Sequence, residues 1–593
     1  MTGSICDPAE DRRRLTVPSP PLAKYAPTPS PALPLKGIPK LLEPASGKGR
    51  NWTRLRPGKV VVFGHSQPPG GQAEDVGEGV SERIRWLDAA KLKLGPERGR
   101  YVHMNTKGGP DRPKDADSGE GVHRRAFLGA VTGFASAAFL PRTVEGRPAF
   151  KMSPAAGGGA APAGGRSATS AGPLAVDGGA PVRSTKLGAN YPGPLYYDEE
   201  ERRELGDVLD RRAPFRWYGI GPKGKKPDKC NLFEREFAAH MGAKYCVAVT
   251  SGTAALITAL AALGAGPGEE VILPAWTWYA CYDAVIATGA TPVFAEIDDS
   301  MNLDPTDIER HITPRTKILM PVHIMGEPAD MDPILAVARQ HNLKVLEDAA
   351  QSCGATYKGR HLGSMGDAGI YSFQVCKTIT AGEGGAVLTS DPAILERLAR
   401  IHDLGMLRPP HAAMLGGPAR MDKVPGYNFR MNEFTGAVMR AQLRKLDRIA
   451  ADFRERGRRV AEGIQDLPGI CLRKLSDPQG GLRSAVLFRT SDRAQRDRVA
   501  AALEAENVPA AIMEGSVILP LEPFIEKKQT VENHWPSFDG PEGNVSYGRG
   551  CCPRTLEIYN RYVGVLIDPT YSKQDVTDLI AAVRKVYLAL VKA

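Results

Sequence analysis

Leu343-Lys344-Val345-Leu346-Glu347-Asp348-Ala349-Ala350-Gln351 is an apolar run closed by an acidic pair, and it leads on to Ser372-Phe373-Gln374-Val375-Cys376-Lys377. The first stretch reads as a strand running into a turn or helix. That puts a carboxylate at a strand's C-terminal end, where open α/β sheets bind ligands. The second stretch ends on a lysine and is followed by the Gly-rich turn Ala381-Gly382-Glu383-Gly384-Gly385. Lys377 has the setting of an imine-forming lysine, and Asp348 that of a buried acid that can keep a ring nitrogen protonated.

Outward from this pair, the chain from Tyr197 alternates helical periods with short apolar strands. The helical periods are Glu200 to Asp210 and Leu232 to Met241. The strands are Tyr245 to Val249, Val271 to Leu273, Pro292 to Phe294, Ile318 to Val322, Lys344 to Leu346, Gly369 to Phe373 and Gly385 to Thr389. Such alternation predicts an α/β sheet covered by helices. After Asn432 an amphipathic helical stretch to about Gln465 leads to a smaller α/β region that ends in a helix, Lys573 to Val591.

Two further motifs fall at strand ends. Thr250-Ser251-Gly252-Thr253-Ala254-Ala255-Leu256 opens an Ala/Leu-rich helix. Free N–H groups, a glycine that permits close approach and two hydroxyls suit a phosphate there. Alone, the same residues read better as an ordinary N-cap. Pro274-Ala275-Trp276-Thr277-Trp278-Tyr279 follows the next strand. One of these aromatics can stack on a flat ring, worth about 0.5–1.5 kcal/mol beyond burial. Core packing is the competing reading, more for Trp276 and Tyr279 than for Trp278. For Asp348 the alternative is an N-cap or solvent exposure, and for Lys377 a surface lysine. The order decides between them: helix-start phosphate site, aromatic, strand-end aspartate, then serine and lysine before a Gly-rich turn. A lysine for an imine, an acid for a pyridine nitrogen and a phosphate cradle are what pyridoxal 5'-phosphate requires.

The 593 residues carry a formal net charge of +10. Residues 1–175 hold 26 Lys and Arg against 15 Asp and Glu, which leaves 51 against 52 for the remainder. The basic character therefore belongs to the leader, and a near-neutral fold argues against nucleic acid as a partner. Nine cysteines are scattered without Cys-x-x-Cys spacing, so no structural metal is expected, and folding in a reducing compartment is.

Residues 1–122 read as a disordered basic leader, in which Met104 is a candidate true start. Residues 123–145, with Arg124-Arg125 before an uncharged stretch reaching Leu140, resemble a twin-arginine export signal. That stretch is too short to span a bilayer, so no stable membrane anchor is expected. The location expected is periplasmic by the twin-arginine route, or cytoplasmic if the leader does not function. Residues 146–173 read as a flexible linker, 174–435 as a large cofactor-binding domain and 436–593 as a small C-terminal domain.

From Leu174 nearly to the C-terminus the chain resembles the DegT/DnrJ/StrS-type sugar aminotransferases, within fold type I of the pyridoxal phosphate enzymes. The likeness is strongest in Thr250 to Asp298, Glu347 to Asp391 and Gly426-Tyr427-Asn428-Phe429-Arg430-Met431-Asn432-Glu433. It implies a large domain with a mostly parallel seven-stranded sheet and a smaller C-terminal α/β domain. It further implies that Lys377 forms the imine and acts as general base, that Asp348 bonds the pyridinium nitrogen and that Gln351 approaches the phenolic oxygen. Ser251, Gly252, Thr253 and Ser372 would hold the phosphate, and Trp278 would cover the ring. Asn428 would reach the phosphate of a partner subunit, which requires a homodimer with shared active sites. His323, Arg430 and Trp217-Tyr218-Gly219 match family positions near the site, and as single residues they read equally as structural.

Some relatives replace the lysine with histidine and become dehydratases; this chain keeps Lys377. Transamination from an amino acid donor, glutamate or glutamine, to a keto sugar or keto cyclitol is the expected chemistry. A lyase or dehydratase on the same scaffold and a non-catalytic cofactor-binding protein are the alternatives.

Overall fold

The computed structural model describes residues 172–188, 196–218, 227–416, 421–511, 518–530, 538 and 545–591. The leader, the twin-arginine-like segment and the linker up to residue 171 lie outside the described residues, as does Gly219.

The strands are β1 Tyr245–Val249, β2 Glu270–Pro274, β3 Thr291–Ala295, β4 Thr316–Leu319, β5 Lys344–Asp348, β6 Thr356–Tyr357, β7 Arg360–His361, β8 Ala368–Ser372, β9 Gly385–Thr389, β10 Ala485–Arg489, β11 Ala510–Ala511 and β12 Tyr562–Leu566. Seven of them form one sheet in the order β1-β9-β8-β5-β4-β2-β3. A three-stranded sheet, β10-β12-β11, and the hairpin β6-β7 complete the strands. Pairing is parallel from β3 through β2, β4 and β5 to β8. Only β9 is reversed, antiparallel to both β8 and β1. The mostly parallel seven-stranded sheet expected from the sequence is thus present, and its one reversed strand proves decisive for the site.

Period-two alternation assigns the sheet's two faces. Val247, Val271, Ile318, Leu346, Ile370 and Val387 pack on one side. Ala248, Ile272, Leu319, Val345, Tyr371 and Leu388 pack on the other. Every residue of β2 and β8 is buried, as expected of strands covered by helices on both faces. The ladder of β4 stops at Leu319, short of the expected Val322, because Pro321 has no N–H to donate. Val322 keeps a single bridge to Asp348.

The helical stretch expected from Asn432 to about Gln465 is two helices, Glu433–Leu443 and Leu446–Glu462. The Asn432 side chain caps the first by accepting the Thr435 N–H at 3.0 Å. At the break, Lys445 turns its ammonium onto Glu201 at 2.7 Å and Asp198 at 2.9 Å. The expected domain boundary at 435/436 falls inside the first of these helices, which packs on helices Glu199–Arg211 and Lys229–Met241.

A sheet edge needs its backbone groups satisfied. At β1 a buried ion pair does this. Arg216 donates to the Ala248 carbonyl at 3.1 Å, Glu234 accepts the Ala248 N–H at 2.7 Å, and the two side chains pair with each other. His411 adds a contact to Glu234 at 3.3 Å, and its ring lies 5.4 Å from that of His402. Burial alone would raise the Glu234 carboxyl, but Arg216 and His411 overcome it and hold it down at about 2. Burial, then the charges of His411 and Arg216, hold His402 down at about 3.

Both groups have folded pKa values below their unfolded ones, so the unfolded chain binds more protons as the pH falls. The His402 contribution is lost from about pH 6.5 downward, and the Glu234 contribution from about pH 4.5 downward. The midpoint of thermal unfolding should therefore drop steadily on acidification below about pH 6.5. In His402→Gln the slope between about pH 6.5 and 4.5 should be shallower; an unchanged slope would remove His402 from the account.

Candidate active site

The reversed strand gathers the expected residues at one edge of the sheet. Val249 and Ser372, which end β1 and β8, both lie opposite Gly385, which begins β9. Asp348 ends β5, the next strand over, paired to Ile370. The segment from Phe373 to Gly384 must leave and re-enter the sheet at this same edge, and Lys377 lies within it. Its turn is held by Lys377 N–H to Gln374 O at 2.9 Å, Phe373 N–H to Gly384 O at 2.8 Å and Thr380 Oγ1 to Phe373 O at 2.9 Å. Gly384 has φ +156° and Gly382 φ +83°, which is why this turn is glycine-rich.

Past β1 the chain enters the helix Gly252–Leu263, capped by Ser251 Oγ, which accepts the Ala254 N–H at 3.1 Å. The N-cap reading of Ser251 therefore holds, and it leaves the first N–H groups of the helix for an anion. A Cβ on Gly252 would lie 2.7 Å from Ser372 Cβ. The glycine thus lets the helix start approach Ser372, and these two phosphate candidates adjoin although 120 residues separate them.

The acidic pair divides its labour by strand alternation. Glu347 is wholly buried and accepts the N–H groups of Gly363 at 2.8 Å, Met365 at 2.6 Å and Gly366 at 2.7 Å. It also faces His323 Nε2 at 3.2 Å. Because the Ala329 N–H donates to His323 Nδ1 at 3.1 Å, the proton sits on Nε2 and the ring serves as a neutral strut to Glu347. Asp348, only 4 % exposed, points the other way. Its Oδ1 accepts the Ala350 N–H at 2.9 Å, and its Oδ2 lies 3.1 Å from Cys281 Sγ. Burial raises its pKa, against the pull of Ala350, Cys281 and Lys377. The Lys377 amine is held below the usual lysine range by burial, against the attraction of Asp348. Lys377 and Asp348 are thus within electrostatic reach of one another. Lys377 Nζ makes no hydrogen bond among the described residues.

Gln351 Oε1 accepts the Met325 N–H at 2.9 Å, which pins a loop where Met325 (φ +53°) and Gly326 (φ +77°) are both left-handed. That leaves its amide NH2 to donate elsewhere. Trp278 is 45 % exposed at the start of helix Tyr279–Ala287, whereas Trp276 is 3 % exposed and belongs to the core. Thr253 lies in the first turn of the capped helix. Asn428 is exposed, bridged through its backbone to Asp403. Arg430 is committed to Asp403 at 2.5 Å. Trp217 stacks under the Arg216 guanidinium, 4.3 Å away. Sequence reasoning missed Cys281, which carries no motif and sits among apolar helix residues.

These residues suit pyridoxal phosphate: an amine without a hydrogen-bond partner among the described residues, a buried acid within reach of its charge, and a helix start opened by a glycine that no larger residue can replace without displacing Ser372. The fold is that of the fold type I class of pyridoxal phosphate-dependent aminotransferases. Residues 217–539 match the model of the DegT/DnrJ/EryC1/StrS aminotransferase family, and the chain belongs to that family. It is 34 % identical over 403 residues to the spore coat polysaccharide biosynthesis protein SpsC of Bacillus subtilis, covering 67 % of this chain and 96 % of that one. It is 44 % identical over 218 residues to the GDP-perosamine synthase of Caulobacter vibrioides, covering 36 % and 56 % respectively. Among solved structures, 3-amino-5-hydroxybenzoic acid synthase superposes with a TM-score of 0.55 at 28 % identity, covering 68 % of this chain and all of that one.

Proposed function

We propose that this chain moves an amino group from an amino acid donor, glutamate or glutamine, to a keto sugar or keto cyclitol. The observation that carries the reading is the meeting of Lys377 and Asp348 at one sheet edge, each within reach of the other's charge. The relatives named for perosamine and for spore coat polysaccharide support a sugar-derived acceptor.

Pyridoxal phosphate, when bound, supplies the electron sink for removal of the substrate's α-proton. The chain's own groups do the rest. Lys377 would hold the cofactor and would take and return the substrate's proton; burial lowers its pKa, which favours service as a base. Asp348 keeps the ring nitrogen protonated, and in that pairing its own burial cost is relieved. Ser251, Gly252, Thr253 and Ser372 hold the phosphate at the helix start. Gln351, whose amide NH2 is left to donate, would serve the phenolic oxygen, and Trp278 would cover the ring. Asn428, exposed and backbone-anchored, would reach a second copy's phosphate in a homodimer. The twin-arginine-like leader supports export after folding and cofactor loading; cell fractionation tests it.

The reading is tested by loading the purified protein, adding glutamate or glutamine, and following the absorbance of the bound cofactor. Conversion to its aminated form, reversed by a member of a panel of keto sugars and keto cyclitols, is the expected result. A protein that consumes a sugar substrate with no dependence on an amino donor would instead be a lyase or dehydratase.

A further inference from the structure

Both oxygens of Asp348 are occupied by the protein, and one partner is a thiol. Cys281 is 1 % exposed, and its Sγ lies 3.1 Å from Asp348 Oδ2 and 3.3 Å from Thr277 Oγ1. An ionised carboxylate can only accept, so the single S–H proton is committed to Asp348. Thr277 must then donate its hydroxyl proton to the sulfur. The result is a directed relay, Thr277 O–H to Cys281 S–H to Asp348. Burial, reinforced by the Asp348 charge, holds the thiol well above its ordinary range, so it keeps the proton the relay needs. The relay joins the first turn of helix Tyr279–Ala287, where Cys281 lies, to the end of β5, across the 67 residues between Cys281 and Asp348.

We propose that Cys281 is a positioning residue for Asp348: its thiol fixes the carboxylate rotamer that meets the cofactor's ring nitrogen, with Thr277 orienting the thiol. This rests on the role given to Asp348 above. The choice of sulfur has a physical sense. A thiol is a weak donor, so it orients the carboxylate while drawing off little of its charge. A hydroxyl in its place would bind more tightly and leave the acid less basic toward the ring nitrogen.

The test uses full-length protein stripped of cofactor and titrated with pyridoxal phosphate, in the parent and in Cys281→Ala, Cys281→Ser and Thr277→Val. Cys281→Ala should weaken cofactor binding roughly 3- to 10-fold, the scale of one lost hydrogen bond, and lower kcat without a matching change in KM for the amino donor. Cys281→Ser should bind within about twofold of the parent, as expected when a donor is kept. The pH titration of its bound cofactor's absorbance should move to lower pH, and a packing role for Cys281 would not move it. Should the variants fold poorly, the infrared S–H stretching band of Cys281 gives a second reading. That band, assigned by its loss in Cys281→Ser, should move to higher frequency in Asp348→Asn, because an amide accepts more weakly than a carboxylate. Unchanged affinity in Cys281→Ala, an unmoved titration in Cys281→Ser, or a band that ignores Asp348→Asn overturns the proposal alone if Asp348→Asn still loses its rate. If Asp348→Asn keeps full activity, the reading of the aspartate falls and this inference with it.

Discussion

Lys377→Ala should show no measurable transamination and no borohydride-stable pyridoxyl label, while the parent carries that label on Lys377. Two losses add up in this variant. The covalent tether disappears, and so does the general base, which alone is worth about 10²- to 10⁴-fold in rate. The fold should survive. Lys377 Nζ makes no hydrogen bond among the described residues, and the turn around it is held by backbone bonds and Thr380. The amine is held low by burial, so its removal relieves a desolvation cost and breaks no network. Unfolding should therefore occur at or above the parent's temperature in the cofactor-free protein. Peptide mapping that finds the label on another lysine, or normal turnover in the variant, excludes the assignment.

Asp348→Asn separates two roles that the same residue could play. The amide keeps the shape and can still accept the Ala350 N–H, so the strand end should hold. It cannot keep a ring nitrogen charged. Each unit by which the nitrogen's pKa falls below the working pH costs tenfold in the protonated fraction. A fall of about three units gives a loss on the order of 10³ in kcat, with cofactor still bound. The cofactor-free protein tells the complementary story. Burial raises the Asp348 carboxyl above its unfolded value. Such an acid is neutral and harmless below its unfolded pKa, and its ionised form detracts from stability as the pH rises through the folded value. At neutral pH the cofactor-free Asn variant should therefore melt no lower than the parent. Pyridoxal phosphate should raise the melting temperature of the parent more than that of the variant. A catalytically intact variant, or equal stabilisation by the cofactor, would show that Asp348 is structural.

Much of the large sheet was legible from local pattern. β1 and β9 have the expected bounds, and β2, β3 and β5 differ only by a residue or two at their ends. The reason is that a strand buried on both faces writes a continuous apolar run into the sequence. Pro321 shows the limit of that reading. Apolar content carried the expectation to Val322, whereas the hydrogen-bond ladder ended where the donor was missing. The helical stretch after Asn432 failed in a similar way, because the amphipathic period continues across Lys445 while a distant ion pair with Glu201 holds that residue in the break. In the site, Glu347 and Asp348 read as one acidic pair, yet alternation turns them to opposite sides of β5 and gives them separate work.

By itself, the order of residues along the chain determined the class of fold and the family and supplied the candidates for the chemistry-bearing side chains, because strand periods, helix starts and Gly-rich turns are local and need no partner to be recognised. The tertiary structure alone decided that β9 runs backwards, and so that Ser372, the Lys377 segment and the helix start at Gly252 share one edge. It alone set Cys281 against Asp348 and the Arg216–Glu234 pair along the open side of β1. Those contacts join segments whose approach depends on how crossovers wind the sheet. No short window of sequence encodes which distant residue will arrive opposite a buried oxygen or an unpaired backbone amide.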